Sequence, residues 1–149
     1  MALQPVGMVR RNMTTLEKAK IAEDRAFKKY GGTKHWYYRG TIPDLTRVRN
    51  GVFELIEVKY FDLGAYYSFQ EKAYRIRQQL ENRKRCFEDF EYPIKQRLYI
   101  LFINAKKRGV TAKAIREAVF EELADLDIKI DIDVCKGLAE SEDYAGGEM

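Results

Sequence analysis

The amino-acid sequence predicts an α/β fold with a mixed central sheet, and three observations lead there. Two stretches, Phe53–Phe61 and Arg97–Ile103, are apolar on both faces, as strands covered on two sides must be. An Asn50-Gly51 pair joins the first of them to the segment before it, the strongest short signal of an antiparallel hairpin. Helical periodicity then fills the segments between the later strands, which is how parallel neighbours are connected. The elements read helix, three strands, helix, strand, helix, strand.

Residues 1–13, with basic Arg10 and Arg11, are expected to be a flexible arm; they lack an apolar stretch of signal-peptide length. Thr14-x-x-Glu17 is a capping box that opens a helix, and Gly31-Gly32 stops it after Tyr30. Leu16, Ala19, Glu23, Phe27 and Tyr30 form its stripe at spacings of three and four. Glu17 is accounted for by the cap. Glu23, in mid-stripe, either snorkels to solvent or serves a site.

His35–Arg39 is aromatic and extended, and Thr41–Arg49 reads as a second strand. Pro43 interrupts it, marking an edge, a bulge or a strand start, and Asp44 follows directly. In the third strand Phe53, Leu55 and Phe61 point one way, and Val52, Ile56, Val58 and Tyr60 the other. Glu57 and Lys59 lie within it on one face. A buried isolated charge costs several kcal/mol, so these two either pair, bind a metal or line a polar cleft. Asp44 stands six residues before the Asn50-Gly51 turn and Glu57 six after it, which sets them opposite one another in a tight hairpin.

Asp62–Tyr67 reads as a loop, after which Ser68 caps a long helix ending near Phe87 or Phe90. Its core stripe is Phe69, Ala73, Ile76, Leu80 and Phe87; beside it runs a row of Gln70, Tyr74 and Arg77. Lys72, Arg75, Arg77, Arg83, Lys84 and Arg85 make this helix basic, the pattern of a solvated face. After the Arg97–Ile103 strand comes a basic loop, Asn104–Gly109. Thr111 then caps a helix to Ala124 with Ile115, Val119 and Leu123 inward. Ile128, Ile130, Ile132 and Val134 alternate with Lys129, Asp131 and Asp133, a strand with one wet face suited to a sheet edge. One domain is thus expected over residues 14–135, followed by an acidic, mobile tail at 136–149.

Composition limits what this domain does. The 149 residues suit one domain with a core, and the 46% hydrophobic content excludes a disordered chain. No apolar run approaches the ~20 residues of a membrane span. The formal net charge is +4; the tail carries one Lys against four acids, so the rest of the chain is +7. A basic body of this size fits a polyanionic partner. Cys86 and Cys135 lack metal-ligand spacing and read as free thiols in a reducing, cytoplasmic setting. A single histidine, His35, argues against a His-based metal cluster or a Ser/His/Asp triad.

Pro43-Asp44, twelve intervening residues and then Glu57-Val58-Lys59 resemble the motif of the PD-(D/E)xK nuclease superfamily. Over residues 14–104 the order of elements is similar to that family's restriction-endonuclease-like αβββαβ core, the last helix and strand being an extension. The resemblance implies metal-dependent hydrolysis of nucleic acid, DNA ahead of RNA. It implies Asp44, Glu57 and the Val58 carbonyl as ligands of Mg²⁺ or Mn²⁺, a choice that suits hard oxygen donors. Lys59 matches the lysine that activates water and stabilises charge at phosphorus, and Glu23 the additional helix acid. Gln70 and Tyr74 resemble a substrate-facing Gln-x-x-x-Tyr row, with Arg77 and Arg39 as further substrate contacts; as residues alone, Gln70 and Tyr74 also fit an ordinary surface. The branches most similar are the VRR-Nuc and RecB-like nucleases and bacterial nuclease toxins. Cutting both strands of a duplex takes two sites, so the resemblance also allows a homodimer. A nucleic-acid-binding module without turnover is the alternative reading.

Overall fold

The computed structural model describes residues 14–62, 69–103 and 112–135, with the side chains of Phe69, Gln70 and Ile115 among those left out. The basic arm, the Ser68 and Thr111 caps, the 104–109 loop and the acidic tail lie outside the described residues. Three helices and five strands follow in order: α1 (Thr15–Tyr30), β1 (Thr33–Lys34), β2 (Leu45–Arg49), β3 (Val52–Asp62), α2 (Phe69–Cys86), β4 (Ile94–Ile103), α3 (Ala112–Leu123) and β5 (Lys129–Val134). The sheet order is β1-β2-β3-β4-β5. β1, β2 and β3 pair antiparallel; β3, β4 and β5 pair parallel, so the sheet is mixed as expected. None of the described helices is long and apolar enough to cross a membrane.

Asn50 and Gly51 both take positive φ, 52° and 78°. That pair of angles gives the turn whose twist matches a two-residue hairpin, and it sets Leu45 against Ile56 and Arg49 against Val52. Two crossovers running the same way across the sheet then place α2 and α3 on one face. There Ala73, Ile76, Leu80, Val119 and Leu123 bury Phe61, Leu98, Ile100, Phe102 and Ile132. The other face receives α1, whose Ala22 and Ala26 pack on Leu45, Ile56, Val58, Tyr99, Leu101 and Ile103.

α1 keeps its expected capping box: Thr14 Oγ1 accepts from the Glu17 amide at 3.1 Å, and Glu17 Oε1 from the Thr14 amide at 2.8 Å. Its buried stripe differs from the expected one. Leu16 is 80% exposed and Phe27 41%, while Ala22 and Ala26 are buried. Small side chains let the helix backbone approach the sheet, and the bulky residues are left on its flanks. Glu23 consequently stands at the border of the buried face rather than in its middle.

The segment before β2 also departs from expectation. The first strand is the two residues Thr33–Lys34, not His35–Arg39, because His35 and Arg39 both turn at positive φ. Thr41 only bridges back to Tyr38, and β2 begins after Pro43-Asp44. Aromatic packing fixes this excursion. Trp36 stacks on Tyr38 at 5.5 Å, and both rings lie against Phe87 and Phe90 at the end of α2.

The supposed wet face of β5 is roofed by the end of α1. Asp131 takes hydrogen bonds from the Tyr30 hydroxyl and, at 2.7 Å, from Arg97; Asp133 takes one from Tyr99 at 2.7 Å. Arg97 and Arg47 in turn grip the buried Glu54 at 3.0 and 2.5 Å. Burial works against ionising Glu54 most strongly, yet the bonds and charges of the two arginines hold its pKa below the usual range.

Gly32 permits the close approach of this edge. Its φ is +93°, and a β-carbon there would lie 2.3 Å from the Thr46 carbonyl oxygen. Gly32→Ala is expected to cost about 1–3 kcal/mol through backbone strain alone, with more from the clash. Urea unfolding of the two proteins measures it; equal midpoints would contradict the packing described.

Candidate metal and phosphate site

β2 and β3 part after the Leu45–Ile56 pair, and a site forms in the gap. One further step of the register sets Asp44 opposite Glu57. Asp44 is no longer in the ladder there. Its carboxylate replaces the missing strand, Oδ2 accepting from the Val58 amide at 2.7 Å. Amide and carbonyl of one strand residue project to the same edge, so the Val58 carbonyl opens toward this gap as well.

Glu57 forms the floor of the site. Its side chain is only 4% exposed and is held by two cations. Oε1 accepts from Arg83 at 2.5 Å, and Oε2 lies 3.2 Å from the Lys59 ammonium, which is 27% exposed. Arg83, equally buried, also donates to Thr41 Oγ1 at 2.9 Å and to the Ile42 carbonyl at 3.3 Å. One guanidinium from α2 therefore ties β3 to the two residues that lead into Pro43-Asp44.

Glu23 reaches the same place from α1. Glu23, His35 and Asp44 each offer a donor atom, all within 4.8 Å of one another. His35 Nε2 lies 3.6 Å from Glu23 Oε1, and its amide donates to the Asp44 carbonyl at 3.2 Å. The crowding is felt most at Asp44, whose pKa is pushed up to about 7. Burial is the main cause and the Glu57 charge the next; the Val58 amide opposes them, and Glu23 adds to the rise. Asp44 and Glu57 also share a hydrogen bond, which favours the protonated acid.

Asp44 thus lies beside both Glu57 and Glu23, and Lys59 beside Glu57, whereas the other sequence candidates are dispersed. Arg77 donates to Asp125 and to the Glu122 carbonyl, tying α2 to the end of α3. Tyr74 is 57% exposed, and its hydroxyl accepts from Gln78 at 3.0 Å. At 3.6 residues per turn Tyr74 and Arg77 lie roughly 160° around α2 from Lys72 and Arg83, turned away from the acids; the Gln70 side chain lies outside the described residues. Arg39 sits on the aromatic excursion, 58% exposed and 3.6 Å from Asp89.

Two participants escape the sequence reading. Arg83 continues the 3–4 spacing of Ala73, Ile76, Leu80 and Phe87, a signal that it points inward despite its charge. His35 has no such signal; the short antiparallel register that pairs Lys34 with Leu45 sets it opposite Asp44. Among the described residues, Glu23, His35 and Asp44 bring possible ligand atoms together, and His35 is a donor that the motif does not include. Carboxylate oxygens with one imidazole fit Mg²⁺ or Mn²⁺, the imidazole favouring Mn²⁺. No protein-family model, curated protein or solved structure matches the chain.

Two outcomes are expected from this geometry. Arg83→Met leaves Glu57 buried with a single cation and should cost about 3–5 kcal/mol in denaturant unfolding. Asp44 contributes stability that is complete below its ordinary value of 3.8 and is lost as pH rises through about 7. Asp44→Asn should therefore be more stable than wild type above pH 7 and should remove that decline; parallel melting curves across pH test it.

Proposed function

We propose that the chain is a divalent-metal-dependent nuclease with a PD-(D/E)xK-type site on a restriction-endonuclease-like sheet, acting on DNA ahead of RNA. The observation that carries the reading is the convergence of Glu23, Asp44, Glu57 and Lys59. They come from α1, the β2 lead-in and β3, and meet where two strands separate. Acids crowded until one of them resists ionising are arranged for a cation rather than for stability. The basic body supplies the matching sign for a polyanion.

Glu23, His35 and Asp44 would hold the metal, with Glu57 and the Val58 carbonyl beside them. A bound divalent cation neutralises phosphate charge and lowers the pKa of its water. Lys59 places an ammonium next to Glu57, where it can order a water and meet the charge that builds on the phosphate oxygens during attack. Glu57 orients Lys59, and Arg83 fixes Glu57. The exposed rims of Glu23, His35 and Lys59 leave the approach side to solvent, while Glu57 closes the floor.

One observation favours a binding module without turnover: both oxygens of Glu57 already face cations. Digestion of duplex, single-stranded and branched DNA and of transfer RNA with Mg²⁺ or Mn²⁺ separates the readings. Cleavage stopped by EDTA, and reduced about 10²-fold or more by Asp44→Ala, Glu57→Ala or Lys59→Ala, is expected. Binding that persists in those variants without any cleavage by wild type selects the module.

A further inference from the structure

We propose that Tyr37 is a base-stacking residue of this site, and that the substrate it selects is single-stranded or unpaired nucleic acid. The inference rests on the nuclease reading above and names a substrate class for it. The segment between β1 and β2 continues their antiparallel register beyond the two strands. After Thr33–Thr46 and Lys34–Leu45, the His35 amide bonds the Asp44 carbonyl, and Tyr38 and Thr41 exchange backbone bonds at 2.9 and 3.0 Å. In that register Tyr37 falls opposite Ile42. Arg39 and Gly40 turn the tip at φ of 49° and 87°.

One face of this hairpin is fixed on α2: Trp36 and Tyr38 lie on Phe87 and Phe90, and Thr41 Oγ1 accepts from Arg83. Alternation turns Tyr37 and Ile42 to the other face, and they are 64% and 49% exposed. α1 covers the sheet on that side and brings Glu23 to His35 and Asp44. The backbone of Tyr37 is two residues from that of His35, at most roughly 7 Å. A base lies one sugar away from its phosphate, so a phosphate on the metal cluster carries a base to this ring. A lone exposed tyrosine is ordinary on a protein surface. This one is backed by two seated aromatic neighbours and flanked by an apolar side chain. Its ring meets no other ring, and its hydroxyl no hydrogen-bond partner, among the described residues. Stacking needs only a π-face, which every base has, so the nearby carboxylates do not oppose it. Bases inside a duplex are already stacked on their neighbours, and only an unpaired base can give its face to the ring.

Fluorescence anisotropy in Ca²⁺ over a salt series tests this on Tyr37→Ala, Tyr37→Phe and Tyr37→Trp, with Mg²⁺ cleavage run alongside. The probes are a labelled DNA single strand, the same strand made of abasic nucleotides, and the duplex. Wild type should prefer the single strand to the duplex. Tyr37→Ala should bind the single strand about tenfold more weakly, while Phe and Trp keep most of the affinity through their rings. The salt slope should not change, because a stacked ring releases no counterions. Removing the bases should cost wild type a similar factor and Tyr37→Ala much less. If wild type cleaves and Tyr37→Ala matches its single-strand affinity, the stacking assignment falls and the nuclease reading stands without it. A loss in Tyr37→Phe equal to that in Tyr37→Ala points to the hydroxyl and overturns stacking as well. If wild type neither binds nor cleaves, both readings fall together.

Discussion

The buried pair of Arg83 and Glu57 is the contact on which the candidate site depends. Taking two charges out of water is costly, and their attraction offsets the cost only when the remaining hydrogen-bonding groups are also satisfied. Here Arg83 uses all three of its nitrogens, on Glu57, Thr41 and the Ile42 carbonyl. The position of Asp44 therefore follows from the packing of α2. Ala73, Ile76 and Leu80 seat the helix on the sheet, Arg83 holds the loop, and Trp36 and Tyr38 pin the loop's far side against Phe87 and Phe90.

Two acid groupings show what is structural and what is not. Glu54 is matched by two arginines and Asp131 by Arg97 and Tyr30, and both pKa values lie below the usual range despite burial. Such groups are satisfied and add rigidity. Asp44 shows the reverse, an acid pressed against Glu57 and near Glu23, with its pKa raised. Crowding of this kind does not stabilise the fold, and a charge of opposite sign would relieve it.

The architecture was largely legible because its signals are local. The Thr14-x-x-Glu17 box, the Asn50-Gly51 turn and the two-faced apolar strands each follow from short-range geometry, and together they imply the mixed sheet. The Asp44–Glu57 juxtaposition was legible for the same reason, since a two-residue turn fixes the register on both sides. Legibility failed where tertiary packing chose between similar options. Nothing local says that Ala22 and Ala26, not Leu16 and Phe27, face the sheet. Glu54 and Arg47 carry no local signal of their grouping, which arises only when β4 brings Arg97 beside them. His35 meets the acids through the two-residue pairing of β1 with β2, too short to leave a pattern, and Arg83 was hidden among five other basic residues on its helix.

The early end of β2 has a consequence beyond chemistry. From Val58 onward β3 would present bare amide and carbonyl groups, the template on which a foreign strand can zip and start an aggregate. Asp44 and Lys72 plug that template with ionic side chains at Val58 and Tyr60. Two side chains of opposite charge on this edge thus keep other chains from extending the sheet, and replacing either one opens a route to self-association.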